Sequence, residues 1–401
     1  MSRRRGDERR GREALGRVEV PDERRAEERA RQVVVAAFDE REQDSTASRR
    51  SMLRSAVILA AAGLIAGFAL TPAGADVGEW ITDRVDLGED DAERRLWTLP
   101  TSGSLLVENS EGVWILREDG SKRRLGDFDE ATWSPNGLFV GVSDGPELRA
   151  VDPAGVFRWS VEGGAPIEAL DWSTDEGFRV AYVAGGELRV VTGDGATGST
   201  VGPAASVAPA WQPESDPASA IHRLSYVDPE NRVVTVATDS GRIYWRTEPY
   251  SMPVESIEWS GDGERLLVAA GDFAAIQDAR GEALLKGPIA TEVDHAAIAP
   301  DGSSVAVVSA GSQGTELTLV SKFGRSTRLY SSGKATADAR FGPPVFSPDG
   351  DWILLPWPEA DQWLFVNTED RRVTAVADVA RQFDSDDKGD ERFPEVAGWC
   401  C

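Results

Sequence analysis

Three hydrophobic patterns follow one another along the chain. The first is helical. After Pro21, which suits the first turn of a helix, Ala26, Ala30, Val33, Val34, Ala37 and Phe38 recur at three- and four-residue intervals within a charged stretch. The second is continuous: "SAVILAAAGLIAGFALTPAGA", Ser55 to Ala75, carries no charge over 21 residues. At 1.5 Å per residue such a run reaches roughly 30 Å, the thickness of a hydrocarbon core. A helical stripe of Val77, Trp80, Ile81 and Val85 comes next, and Gly88 ends it. The third pattern fills residues 103–401, where short apolar runs alternate with turn signals at the period of half-buried strands.

That third region repeats. The copies read "ATWSPNG" with Trp133, "LDWSTDEG" with Trp172, "PAWQPES" with Trp211, "IEWSGDG" with Trp259, "AAIAPDG" with Ile298 and "PVFSPDG" with Phe346, separated by 39, 39, 48, 39 and 48 residues. Each marker ends a short strand, and a Pro-Asp-Gly type turn reverses the chain after it. Further short strands follow, so the unit is four antiparallel strands in about 40 residues, the period of a propeller blade. Only three strands precede Trp133, while "PEVAGW" near residue 399 aligns with "DEATWS" and makes Trp399 the seventh marker. The predicted fold is all-β, a seven-bladed propeller whose C-terminal strand completes the first blade, preceded by one transmembrane helix and a partly helical cytoplasmic tail.

The W/F-S-P-D-G pattern resembles the TolB-type, WD-like β-propeller repeat of bacterial proteins, over residues 103–401. The resemblance implies a protein-interaction scaffold. "DPAGVFRW" (Asp152 to Trp159) and "DSGRIYW" (Asp239 to Trp245) are similar to quinoprotein-type blade motifs, which support the same fold without implying a quinone. The arginine-rich, lysine-free tail and the apolar segment depart from TolB, so its envelope partner is not carried over.

Charge divides the chain along the same boundaries. Residues 1–54 hold 15 Arg against 12 acids, and the region after Ala75 holds 28 basic against 56 acidic residues. The acidic surplus argues against a nucleic-acid partner. With Arg49, Arg50 and Arg54 just before the apolar run, the positive-inside rule places residues 1–54 in the cytoplasm and 76–401 outside. The domains are therefore a tail (1–54), a transmembrane helix (55–75), a juxtamembrane helix and linker (76–102) and the propeller (103–401). The alternative is export: Arg49 and Arg50 ahead of the run resemble a twin-arginine signal, and Ala73 and Ala75 offer a cleavage pattern, giving a secreted product.

Catalytic or metal chemistry is sparse. His222 and His295 stand far apart, and no nucleophile elbow or P-loop occurs. In "DSDDKGDE", Lys388 takes a position where a calcium loop wants an oxygen ligand. No cofactor and no enzymatic activity are expected; an exported quinone-dependent or lactone-cleaving propeller is the alternative. Cys400 and Cys401 are the only cysteines, able to form a vicinal disulfide, to pair between chains or to stay reduced. Strand alternation points them to opposite faces.

Two blade connections are long, Ser331 to Pro344 and Ala380 to Pro394, and share a face with the loop Pro356 to Trp363. Trp357, Glu359, Asp361, Trp363, Asp384, Asp386 and Asp387 form the candidate binding face, exposed aromatics among acids being suited to a protein or ligand contact. The expected function is a single-pass membrane protein with an extracytoplasmic binding propeller. A transmembrane regulator resembling anti-sigma factors, with a cytoplasmic partner on residues 1–54, is the alternative.

Overall fold

The computed structural model describes residues 98–401 apart from 174–177, 214–221, 285–289, 312–313, 334–338 and 384–391. Two units are distinguished, Met1–Leu70 and Thr71–Cys401, and every described residue belongs to the second. The tail helix, the apolar run and the juxtamembrane helix expected from the sequence lie outside the described residues. Among those residues no helix is long and apolar enough to cross a membrane.

The described chain forms seven four-stranded antiparallel sheets from strands numbered β1–β28 in chain order. Blade 1 joins β1 (Ser104–Asn109), β2 (Gly112–Arg117) and β3 (Lys122–Gly126) to β28 (Glu395–Cys400). Blades 2 to 7 are four consecutive strands each, covering residues 130–162, 167–203, 210–246, 254–291, 293–331 and 345–377. The innermost strands are β28, β4 (Glu130–Trp133), β8 (Ile167–Trp172), β12 (Ala210–Trp211), β16 (Val254–Trp259), β20 (Val293–Ile298) and β24 (Val345–Phe346). They touch one another in cyclic order around an axis, so the ring is closed. All seven markers fall on these strands, and β28 pairs with β1 through Ser104↔Cys400 and Leu105↔Trp399.

Period-2 alternation explains why blades stack. In β1, Leu105 and Val107 face blade 7 while Leu106 faces blade 2; in β2, Trp114 and Leu116 face blade 7 while Val113 and Ile115 face blade 2. The core is accordingly seven clusters, one between each pair of neighbouring blades. The closing cluster, between blades 7 and 1, is rich in aromatics: Trp114, Trp352, Trp363, Phe365, Phe383 and Trp399.

In four blades the turn after the marker is braced by a serine. Ser134, Ser173, Ser260 and Ser347 are fully buried. Ser347 Oγ donates to Asp349 Oδ1 (2.5 Å) and accepts the Trp352 N–H (3.0 Å); Ser260 does the same with Asp262 Oδ1 (2.5 Å) and the Arg265 N–H (3.1 Å). The glycine closing the turn adopts positive φ at Gly137, Gly263, Gly302 and Gly350, a conformation that costs other residues energy. The repeated sequence signature is thus a hydrogen-bonded turn.

A second recurrent device ties outer strands together. The Trp159 Nε1–H donates to Gly193 O (2.6 Å) in the next blade, and the Trp245 Nε1–H to Ala279 O (3.1 Å). These are the tryptophans of the two quinoprotein-like motifs, and here they bridge blades.

One expectation is corrected. Cys400 and Cys401 do not diverge; they form a vicinal disulfide. The strand ends at Cys400, and Cys401 takes a left-handed conformation (φ 62°), so strand alternation no longer governs it. The two sulfurs sit against the carbonyls of Ser134 and Pro135 in blade 2.

Candidate functional site

Antiparallel order gives the ring two unlike faces. One carries the turns between first and second, and between third and fourth, strands of each blade; we name it the turn face. The other, the connection face, carries the blade-to-blade connections and the loops between second and third strands.

On the connection face a cavity of about 540 Å³ opens between blades 6 and 7, lined by Asp294, His295, Ala310, Thr315, Ala339, Arg340 and Phe341. β20 supplies Asp294 and His295 at a register shift near its start; a bulge of this kind re-aims side chains. The Thr315 hydroxyl donates to Ala339 O, fixing the connection as it passes. Burial holds the His295 imidazole below its ordinary range, opposed by the charges of Asp294 and Glu255, so the ring is neutral near pH 7.

Two of the sequence-derived candidates border this cavity. Trp357 is half-buried and meets the Phe341 ring edge-on at 5.4 Å, and Glu359 Oε2 accepts the Arg340 N–H at 3.4 Å. Asp361 is occupied locally: its Oδ1 accepts the Ala380 N–H (2.7 Å) and its carbonyl the Val379 N–H (3.3 Å). Trp363 is fully buried against Phe383 (ring centroids 5.5 Å) in the closing core. The reason is register: Trp363 pairs with Pro356 inside the sheet and shares a face with Phe365. Asp384, Asp386 and Asp387 lie outside the described residues.

The structure also brings carboxylates together on the inner edges of the blades. Inner-strand edges expose N–H groups with no sheet partner, and carboxylates of the preceding blade accept them. Glu108 Oε1 takes the Ala131 N–H (2.6 Å), Asp171 Oδ2 the Trp211 N–H (3.2 Å) and Glu258 Oε2 the Ile298 N–H (3.0 Å). These brackets join blades 1 and 2, 3 and 4, and 5 and 6. Burial pushes the Glu108 carboxyl up to about 8, with Glu130 and Glu395 adding charge repulsion. Enclosure by the ring likewise raises Asp171 to about 7, helped by the charge of Glu258, and Glu258 itself to about 7. Water still reaches Glu258 at the axial edge. The sequence signal is an acid one residue before the marker, at Asp171 and Glu258; Glu108 sits on a second strand and gives none.

No family model matches the chain, and no curated protein matches it. Among solved structures, it is similar to a chain of Kuenenia stuttgartiensis hydrazine synthase at 16% identity and a TM-score of 0.46, covering 60% of this chain and 76% of that one. The fold assignment rests on the chain's own seven closed sheets.

Proposed function

We propose that the protein is a membrane-anchored binding scaffold whose propeller takes a protein partner on its connection face, centred on the cavity between blades 6 and 7. The observation that carries the reading is the convergence of Trp357, Glu359, Arg340 and His295 around that cavity. A concave site with a half-buried aromatic anchor and a few fixed polar groups is what recognition uses. The anchor is the uncharged run 55–75, flanked by three arginines on one side and an acidic region on the other.

The test is crosslinking and capture with the full chain in its native membrane, compared with Trp357→Ala/Glu359→Lys. Loss of one specific partner at unchanged thermal stability supports the reading; an identical partner set overturns the site. A full-length product that resists alkaline extraction supports the anchor, whereas a soluble chain starting at Asp76 makes residues 1–75 an export leader. A signalling role for the tail is favoured by its apolar stripe from Ala26 to Phe38, and capture on residues 1–54 tests it.

A further inference from the structure

The turn face carries most of the exposed apolar side chains, and the chain also reaches the ring there. Among the described residues seven large hydrophobics are exposed: Leu138, Val156, Phe157, Ile243, Met252, Leu284 and Phe323. Leu138 belongs to the marker turn of blade 2. Val156, Phe157, Ile243, Leu284 and Phe323 belong to third-to-fourth-strand turns, or the first residues after them, in blades 2, 4, 5 and 6. Only Met252 lies on the connection face. Phe323 is 83% exposed, with Lys322 Nζ 5.4 Å above its ring.

The approach of the chain is fixed by hydrogen bonds. The Leu99 N–H donates to Glu118 O (3.0 Å) in a blade 1 turn, and the Thr101 hydroxyl to Asp349 Oδ2 (2.5 Å) in the blade 7 marker turn. Leu99 itself is buried in the closing core. Residue 98 therefore stands on the turn face. Residues 76–97, 22 in number, separate it from the apolar run, a tether of roughly 33 Å as helix and about 75 Å extended.

We infer that the turn face lies against a lipid bilayer, with Phe323, Phe157, Val156 and Leu138 at the headgroup level. This rests on the proposed anchor. The apolar tips are spread over four blades with polar turns between them. A protein partner wants a contiguous patch; a plane needs only protruding tips at one level. Lys322 and Arg325 flank Phe323 as cations able to reach lipid phosphate, whereas Arg158 beside Phe157 is ion-paired with Asp152 (2.6 Å) and leaves Phe157 to contribute its ring alone. Placing this face on the membrane turns the cavity between blades 6 and 7 away from it.

The experiment reconstitutes the full chain into phosphatidylcholine vesicles with a benzophenone amino acid in place of Phe323, Phe157 or Met252. After illumination, adducts are identified by mass. Lipid adducts at Phe323 and Phe157 but not at Met252 are expected. Equal adducts at all three positions, or none at Phe323 and Phe157 in a vesicle-bound chain, overturn the orientation while leaving the anchor intact. Adducts at Phe323 to a second copy of the chain overturn it in favour of a protein interface. A chain that does not float with the vesicles removes the anchor and this inference together.

Discussion

Replacing Trp399 with alanine isolates the energy that closes the ring. The indole is 8% exposed, packs edge-on to Phe365 at 5.8 Å, and joins Trp114, Trp352, Trp363 and Phe383 in the core between blades 7 and 1. Removing a buried tryptophan side chain costs about 3–5 kcal/mol, a lost transfer term plus a cavity term. Collapse is hindered here because the walls are aromatics held by two different sheets. Against the ~5–15 kcal/mol of a typical domain, this is a large fraction. The assay is urea unfolding followed by far-ultraviolet circular dichroism, since 13 tryptophans blur a fluorescence readout. With a denaturant slope near 3 kcal/mol/M, a midpoint drop of more than about 1 M is expected.

Phe323→Ala is the control, because an 83% exposed side chain should change stability by no more than about 0.5 kcal/mol. If Trp399→Ala behaves like the control, β28 does not carry the closure. Deleting residues 394–401 sharpens the test, since it strips β1 of its partner strand and leaves an open edge. A soluble truncation that unfolds cooperatively at the wild-type midpoint refutes ring closure through β28.

Further outcomes follow from single contacts. Ser260→Ala leaves the Arg265 N–H and the Asp262 carboxylate without the hydroxyl and should cost about 1–3 kcal/mol in urea melts, whereas Ser240→Ala, in an exposed turn, should not. Gly281→Ala places a methyl 2.5 Å from the Trp245 ring at φ +81°, so both strain and clash lower the melting temperature, by more than Gly241→Ala, which has open space at φ +65°. The pH dependence is set by the axial carboxyls: the folded Glu108, Asp171 and Glu258 titrate near 8, 7 and 7, above unfolded values of about 4. The folded state holds more protons between those limits, so stability should rise as pH falls from 8 towards 5, with Glu108 contributing up to about 1.4 kcal/mol per pH unit. Glu108→Gln should flatten that slope in melting curves taken across the range; an unchanged slope removes Glu108 as its source.

The repeat was legible because its signal is local. A marker, a buried serine, an acid two residues on and a glycine form one turn, and every element of that turn lies within six residues, as at Ser347 to Trp352. Ring closure was legible for a related reason: the strand missing before Trp133 and the spare strand ending at Trp399 were both visible as departures from one period. The candidate face was only partly legible. Loop order places Trp357 and Glu359 on the connection face, where the structure has them, but Trp357 and Trp363 look alike in sequence, and burial depends on strand register, which seats Trp363 opposite Pro356 in the sheet. Cys400 and Cys401 misled for the same reason, since alternation holds only while the strand does.

The axial carboxyls failed to show because their partners are 40 residues away or, at Glu108, 23, and no local rule connects Asp171 to Trp211. Their logic is nonetheless general. A propeller closes its outer edges by short strands and its last gap by pairing β28 with β1, but it still leaves seven inner edges facing the axis. Unpaired N–H groups there need acceptors, and an acid from the preceding blade supplies one while staying near water. The arrangement costs the desolvation of enclosed carboxyls, with charge repulsion added at Glu108 and Asp171, which is why their protons are held to neutral pH. The same groups therefore couple the ring's integrity to acidity, and the acid before a marker residue is the sequence feature by which such brackets can be recognised in other blades.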